Sequence, residues 1–323
     1  MIDLDDVRAA ARRIAPYVAR TPVLRREIGA GAELFLKAEN LQATGAFKLR
    51  GAFNRMLQLP EGCAGVVAHS SGNHARAVAY AGRRLGLPVT VVMPSDAPPG
   101  KSAAVEAQGA RVITVGSDSE ERRVRALTIA GEEDLYLISP YDDKEIASGQ
   151  GTAALELVED AGPLDRFYCP VSGGGLISGC ATVLSALGDA EVIGVEPESG
   201  DDTRLSLAAG ERVTSPPPKT IADGLRVRVP GERVWPMIKA LVDRIETVTD
   251  RELMDAMAFA LFDLGVVLEP SGAASLAVAL REGRGRCGVL LSGGNIEPDL
   301  LAEVAQLGPR LHTPGNLGSA AGP

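Results

Sequence analysis

AGVVAHSSGNHARAVA occupies residues 64–79. It begins as an apolar, β-branched run of strand length, passes through the small polar residues Ser70, Ser71, Gly72 and Asn73, and ends with the spacing of a helix. The same order recurs along the chain. LFLKAE (34–39), PVTVVMP (88–94), ARVITVG (110–116), RFYCPVS (166–172), EVIGVEP (191–197) and CGVLLSG (287–293) read as buried strands, mostly alternating with helical segments. That alternation predicts an α/β architecture with parallel sheet. Residues 64–116 form a tight strand–helix repeat able to make a sheet of its own, whereas 140–165 is a longer helical passage. Two subdomains with a ligand between them are expected.

A chain of 323 residues, 45% hydrophobic and 23% charged, can bury a sizeable core. No apolar run approaches the roughly 20 residues that span a bilayer. The start, MIDLDDVRAAARRIAPYV, is acidic and then helical, without a signal-peptide core. A cytoplasmic location and no membrane partner are expected. Cys63, Cys169, Cys180 and Cys287 lie far apart without a CxxC pair, which indicates neither a disulfide framework nor a zinc site. The formal net charge of -9, with no basic patch, argues against a nucleic-acid surface and fits an enzyme of small molecules. SPPPK (215–219) reads as a Pro-rich surface turn and HTPGNLGSAAGP (312–323) as a disordered tail. No repeat of fixed period is present.

Three strand exits carry polar or glycine-rich turns. SGGGLISG (172–179) follows RFYCPV and opens a helical run, so its backbone N–H groups and the helix N-terminus suit a phosphate. Gly173, Gly175 and Gly179 also give G-x-G-x-x-x-G. Glu196, at the end of the next strand, stands where a ribose-binding acid would be, so a nicotinamide-dependent oxidoreductase is a rival reading. In HSSGNHARAVA (69–79), the residues Ser70 to His74 either cap a helix or gather donors for a carboxylate. VLLSGGN (289–295) alone is an ordinary strand-to-turn exit, and Lys48 in TGAFKLRGA (44–52) alone is an ordinary surface lysine.

Taken in order, KAENLQATGAFKLRGA (37–52), HSSGNHARAVA, SGGGLISG and LLSGGN resemble the pyridoxal-phosphate enzymes of the threonine dehydratase and serine racemase family. The resemblance covers about residues 1–310. It implies the tryptophan synthase beta-like fold, in which two open twisted sheets flanked by helices hold the cofactor in the cleft between domains. The boundaries it suggests are 1–53 with 141–311 for a large cofactor-binding domain and 54–140 for a small one. Lys48 then looks like the Schiff-base lysine and the base for the Cα proton, with Phe47 beside it. Asn73 would bond the ring hydroxyl of pyridoxal 5'-phosphate, Gly173, Gly174, Gly175 and Leu176 its phosphate, and Ser292 its pyridine nitrogen. The dinucleotide reading leaves Lys48, Asn73 and Ser292 without work.

A serine hydroxyl opposite the ring nitrogen moderates the electron sink, so expulsion of a β-hydroxyl competes well with reprotonation at the cofactor. The implied activity is an ammonia-lyase converting L-threonine or L-serine to 2-oxobutyrate or pyruvate plus ammonia. Serine racemase and 3-hydroxyaspartate dehydratase are alternatives on the same scaffold. Ser70, Ser71, Gly72, Asn73 and His74 would bind the substrate carboxylate. Ser71 matches the serine that faces the lysine across the cofactor in racemases, though a plain N-cap is the competing reading. GVEPESGDD (194–202) resembles the cation site of the racemase-like branch, with Glu196, Gly200 and Asp202 offering oxygen ligands to Mg2+, Ca2+ or Mn2+. Glu269 of LEPSGA would approach the cofactor ring, with Ser271 as a helix cap. Ala46 and Ser172 depart from the family's usual serine and fourth glycine. After about residue 310 nothing remains to form an isoleucine-responsive regulatory domain, so feedback inhibition is not expected. A homodimer is implied by the resemblance.

Overall fold

In the computed structural model, residues 1–97, 99–116 and 119–309 are described, and the tail expected at 312–323 lies outside them. Asp3 opens the first helix. Its carboxylate accepts from the Asp6 backbone N–H while the Asp6 carboxylate accepts from Asp3 N–H, so α1 (Leu4–Ile14) starts from a capping box. The helix buries Val7, Ala10 and Ile14. A hairpin follows, in which β1 (Val23–Ile28) and β2 (Ala32–Ala38) pair antiparallel. The chain then turns into α2 (Lys48–Met56).

Strand and helix now alternate: β3 (Val66–His69), α3 (Asn73–Leu85), β4 (Val89–Pro94), α4 (Pro99–Glu106), β5 (Arg111–Val115), α5 (Ser119–Glu132) and β6 (Tyr136–Leu137). These four strands form one parallel sheet in the order β5-β4-β3-β6. A long helix, α6 (Lys144–Ala161), returns the chain to the first sheet. The remainder runs β7 (Arg166–Pro170), α7 (Gly175–Leu187), β8 (Glu191–Pro197), α8 (Asp202–Ala209), α9 (Trp235–Leu241), β9 (Arg244–Val248), α10 (Asp250–Phe262), α11 (Pro270–Glu282), β10 (Arg286–Leu291) and α12 (Pro298–Gln306). Its sheet has six strands in the order β1-β2-β10-β7-β8-β9, parallel except for β1.

Helices cover both faces of this larger sheet, so successive strand residues point into different cores. On β7, Phe167 joins Ile177, Val183 and other residues of α6 and α7, while Tyr168 joins Met257 and Leu276 from α10 and α11. Ala68, Val91 and Met93 pack under α3 in the smaller sheet. All seven strands expected from apolar runs are present. The expectation of parallel sheet needs one correction at β1, and β1, β6 and β9 were not anticipated. β1 and β9 are edge strands carrying charges, VLRREI and RIETV, and β6 is two residues long. Charged edges protect against further pairing and at the same time erase the apolar signature.

Candidate active site

A cavity of about 530 Å³ lies between the two sheets. Lys48 reaches it because a hydrogen-bonded corner holds the first turn of α2. The Phe47 N–H donates to Ser292 O, Ala46 bridges Gly293, and Gly294 N–H donates to Gly45 O. The loop after β10 is thus fixed to the loop before α2, which explains why LLSGGN and TGAFK meet despite their distance in sequence. Lys48 Nζ donates to Pro140 O at 2.7 Å and sits 5.1 Å from the centre of the Phe47 ring. Burial pulls its amine down to about 8, so a usable fraction is the free, nucleophilic base near neutral pH.

The four-stranded sheet supplies the opposite wall. β3 ends at His69, and Ser70, Ser71, Gly72, Asn73 and His74 follow along the cavity. The N-cap of α3 is Gly72, with no side chain capping the helix, so a simple cap by Ser71 is not what the structure shows. Ser70 Oγ accepts from Gly72 N–H at 3.2 Å. Among the described residues the Ser71 hydroxyl has no hydrogen-bond partner. His74 is buried and its Nε2 lies 2.9 Å from Ile138 O, so the proton sits on Nε2, and burial pushes the ring down to about 3. It is a neutral imidazole at physiological pH.

Asn73 joins the two walls. Its Nδ2 donates to Glu269 Oε1 at 2.5 Å, and its Oδ1 accepts from Asn295 Nδ2 at 2.7 Å. Arg76 Nη1 in turn donates to Asn295 Oδ1 at 2.8 Å. One N–H of the Asn73 amide remains for a ligand. Burial raises the Glu269 carboxyl to about 8, with further push from Asp223, so it is protonated at pH 7. Ser292 Oγ makes only a long 3.5 Å contact with Ser271 O, which leaves its hydroxyl free to turn toward the cavity. Ser271 is not the cap of α11: Glu269 holds that position, and Ser271 Oγ accepts from Gly224 N–H at 3.0 Å.

Gly173, Gly174, Gly175 and Leu176 line the same cavity where α7 begins. The N-cap is Gly174 at φ 95, and no side chain satisfies the first-turn N–H groups. Those donors and the helix dipole make an anion cradle. Gly179, third glycine of the dinucleotide pattern, serves packing instead, because a Cβ there would strike Ala147 O on α6. Glu196 is away from the cavity lining. Its two carboxylate oxygens accept the Thr203 and Arg204 backbone N–H groups at the start of α8, both at 3.0 Å, so a ribose finds no free acid there.

Glu196 instead lies beside Asp202. Burial and then the charge of Glu196 raise Asp202 to about 8, and burial raises Glu196 to about 7. Asp202 Oδ2 is buried without a hydrogen-bond partner. Gly200 is on the intervening turn, so the three residues named for a cation are neighbours, separate from the cavity that holds Lys48. Among the described residues no group of three His, Cys, Asp or Glu side chains is placed to hold a metal, so any cation there needs carbonyl and water oxygens as well. The four cysteines are free thiols, three of them fully buried.

Several cavity residues carried no signal in the sequence. Tyr141 packs so closely that a Cβ on Gly173 would fall within its ring. Although it was given no role, Asn295 closes the quoted motif LLSGGN and was within its reach. Arg228 was not, since it arrives from an irregular loop.

The L-threo-3-hydroxyaspartate ammonia-lyase of Pseudomonas sp is 43% identical over 310 residues, covering 93% of this chain and 97% of the relative. The structure of maize serine racemase superposes with a TM-score of 0.89 at 40% identity, covering 94% and 97% of the two chains. The processed form of threonine deaminase isoform 2 from Solanum lycopersicum gives 0.87 at 31% identity, covering 95% and 89%. Residues 14–293 match the family model described as "Pyridoxal-phosphate dependent enzyme", and the chain belongs to that family.

Proposed function

We propose that the protein is a pyridoxal-phosphate-dependent ammonia-lyase that converts small L-β-hydroxy amino acids, L-threonine or L-serine among them, to the 2-oxo acid and ammonia. The observation that carries this reading is the desolvated Lys48 amine in one cavity with an uncapped helix N-terminus at Gly174 and a serine-rich loop at 70–74. These residues fit the cofactor: a nucleophilic amine for its aldehyde, unpaired N–H donors for its phosphate, and the Ser292 hydroxyl for its ring nitrogen. The bound cofactor supplies an electron-withdrawing ring that acidifies the substrate Cα–H.

This chain's residues do the rest. Lys48 Nζ accepts the Cα proton, and the same amine, then cationic, is a proton donor for the departing β-hydroxyl. Backbone donors at Gly72 and Asn73, with the Ser70 and Ser71 hydroxyls, hold the α-carboxylate at the start of α3. Protonated Glu269 and neutral His74 keep further charge out of the site. The net change is loss of water across Cα–Cβ followed by its return in hydrolysis, which releases ammonia.

A second reading, racemisation of the same substrates, is supported by the uncommitted Ser71 hydroxyl, which can exchange a proton on the face away from Lys48. A divalent cation such as Mg2+ at Glu196, Gly200 and Asp202 belongs to the same proposal, supported by the unpartnered Asp202 Oδ2. So does a homodimer in the cytoplasm, implied by the resemblance; no helix among the described residues is long and apolar enough to cross a membrane. The test is 2-oxo acid release from L-threonine and L-serine by purified protein with pyridoxal phosphate and magnesium. Release that disappears in Lys48→Ala supports the lyase, and inversion of L-serine without release favours the racemase.

A further inference from the structure

The cavity is cationic inside an acidic protein. Its lining includes seven Lys or Arg side chains against three Asp or Glu, among the described residues, in a chain of formal net charge -9. Most of these cations are already engaged. Lys101 pairs with Asp223 at 2.7 Å, Arg123 with Glu120, and Arg226 wraps the carbonyl of Thr220. Arg228 differs. Like Arg226 and Arg76 it has only a neutral partner, Ser215 O at 3.0 Å from its Nε, but unlike them it has, among the described residues, no partner on either Nη. It is exposed and enters the cavity from the large-sheet side, whereas Arg122 and Arg123 approach from α5 on the other.

The ligands of the proposed reaction bring two anions, and both are provided for. The phosphate has the start of α7, and the α-carboxylate has the start of α3. The cationic surplus answers to neither. His69, on the same wall, is pulled down to about 4 by burial and by Arg122 and Arg123, so their field reaches the cavity. Resting on the ammonia-lyase reading, we infer that Arg228 is a specificity residue for a second carboxylate carried on the substrate's β-carbon, and that the preferred substrate is a β-hydroxy dicarboxylic amino acid. A guanidinium whose Nε is held by a carbonyl presents two N–H groups in a fixed plane, the geometry a carboxylate accepts. Serine and threonine, lacking that carboxylate, gain nothing from it.

The experiment compares L-threo-3-hydroxyaspartate with L-serine on the holoenzyme, in the parent protein and Arg228→Gln, following 2-oxo acid. The expected result is that the substitution lowers the hydroxyaspartate-to-serine ratio of kcat/KM about ten-fold, mainly through KM, because the contact exists equally in ground and transition states. In the parent protein, raising salt should increase KM for hydroxyaspartate more than for serine. An unchanged ratio in Arg228→Gln, or a loss confined to kcat, overturns the inference. Release from serine but none from hydroxyaspartate in the parent protein also overturns it, with the lyase reading intact. Release from neither overturns both.

Discussion

Asn73 on the small sheet and Glu269 on the large one share a 2.5 Å hydrogen bond across the cavity. The carboxyl is raised to about 8 by burial, so the folded state holds its proton where an unfolded chain has released it. A raised carboxyl contributes stability that is present at low pH and lost as pH rises from the ordinary carboxylate range through about 8. Glu269→Gln removes that titration and keeps the shape. Thermal melts at pH 5.5 and 8.5 are expected to show the difference between parent and variant moving in the variant's favour at the higher pH, by about 1 kcal/mol or more. A difference that stays constant across that range would mean Glu269 is ionised in the folded protein.

Lys48 has the opposite charge logic. Its amine is lowered to about 8, so the fraction able to attack an aldehyde grows as pH passes through that value. The rate at which protein stripped of cofactor develops the visible absorbance of bound pyridoxal phosphate should therefore rise between pH 7 and 9 and then level off. Lys48→Ala should develop no such band and lose about 10³-fold or more of 2-oxo acid release. A flat rate profile would show that the amine is already unprotonated at pH 7.

Gly174 begins α7 with φ 95, and a Cβ there would lie 2.4 Å from Ile238 Cδ1. Gly174→Ala is expected to cost about 1–3 kcal/mol of stability from left-handed backbone strain alone. Displacing the cap also re-aims the N–H groups of the cradle, so cofactor affinity should drop as well. Urea denaturation and cofactor titration read the two effects separately, and an unchanged affinity would place the phosphate elsewhere.

The parts that the sequence made legible are those in which local chemistry and tertiary role coincide. RFYCPV and PVTVVMP are buried on both faces, so apolar runs were sufficient to place β7 and β4. RIETV failed because an edge strand satisfies water on one side. Lys48 was readable only through the order of the motifs, since nothing local marks a lysine whose amine burial will pull down. Tyr141 and Arg228 reach the cavity from loops whose paths depend on the packing of both sheets. Ser271 shows the reverse failure: it has the composition of a cap, yet Glu269 takes that position and Ser271 binds Gly224 instead.

Asp202 and Glu196 are raised to about 8 and about 7 by burial, and for Asp202 next by Glu196. Stability is lost as pH rises through those values, and a bound divalent cation would restore it by replacing the protons. Magnesium should therefore raise Tm more at pH 8 than at pH 5.5, with about 2.7 kcal/mol available at a hundred times Kd. Asp202→Asn should abolish most of the metal-dependent rise. A magnesium response that survives the substitution would move the cation away from this turn.

Arg50, two residues after Lys48, is the centre of a buried ionic knot. It donates from Nε and Nη2 to Glu39 at 2.7 and 2.8 Å and from Nη1 and Nη2 to Glu156, both at 2.8 Å, while Lys37 reaches Glu156 at 2.6 Å. Glu39 and Arg50 are both fully buried. Burial is the largest single influence on Glu39 and opposes its ionisation, but the Arg50 charge, the hydrogen bonds from Arg50 and Thr21 and the Lys37 charge together outweigh it and hold the carboxyl below its usual range. Glu39→Gln leaves a buried guanidinium short of countercharge and should cost about 3–5 kcal/mol, whereas Glu156→Gln, whose partner site touches solvent, should cost less. Because the knot anchors α2, the Glu39 variant should also weaken cofactor binding at Lys48 at temperatures where the protein is still folded. Chemical denaturation gives the first quantity and cofactor absorbance the second; a destabilised variant with parental cofactor affinity would show that the corner at 44–47 alone positions the lysine.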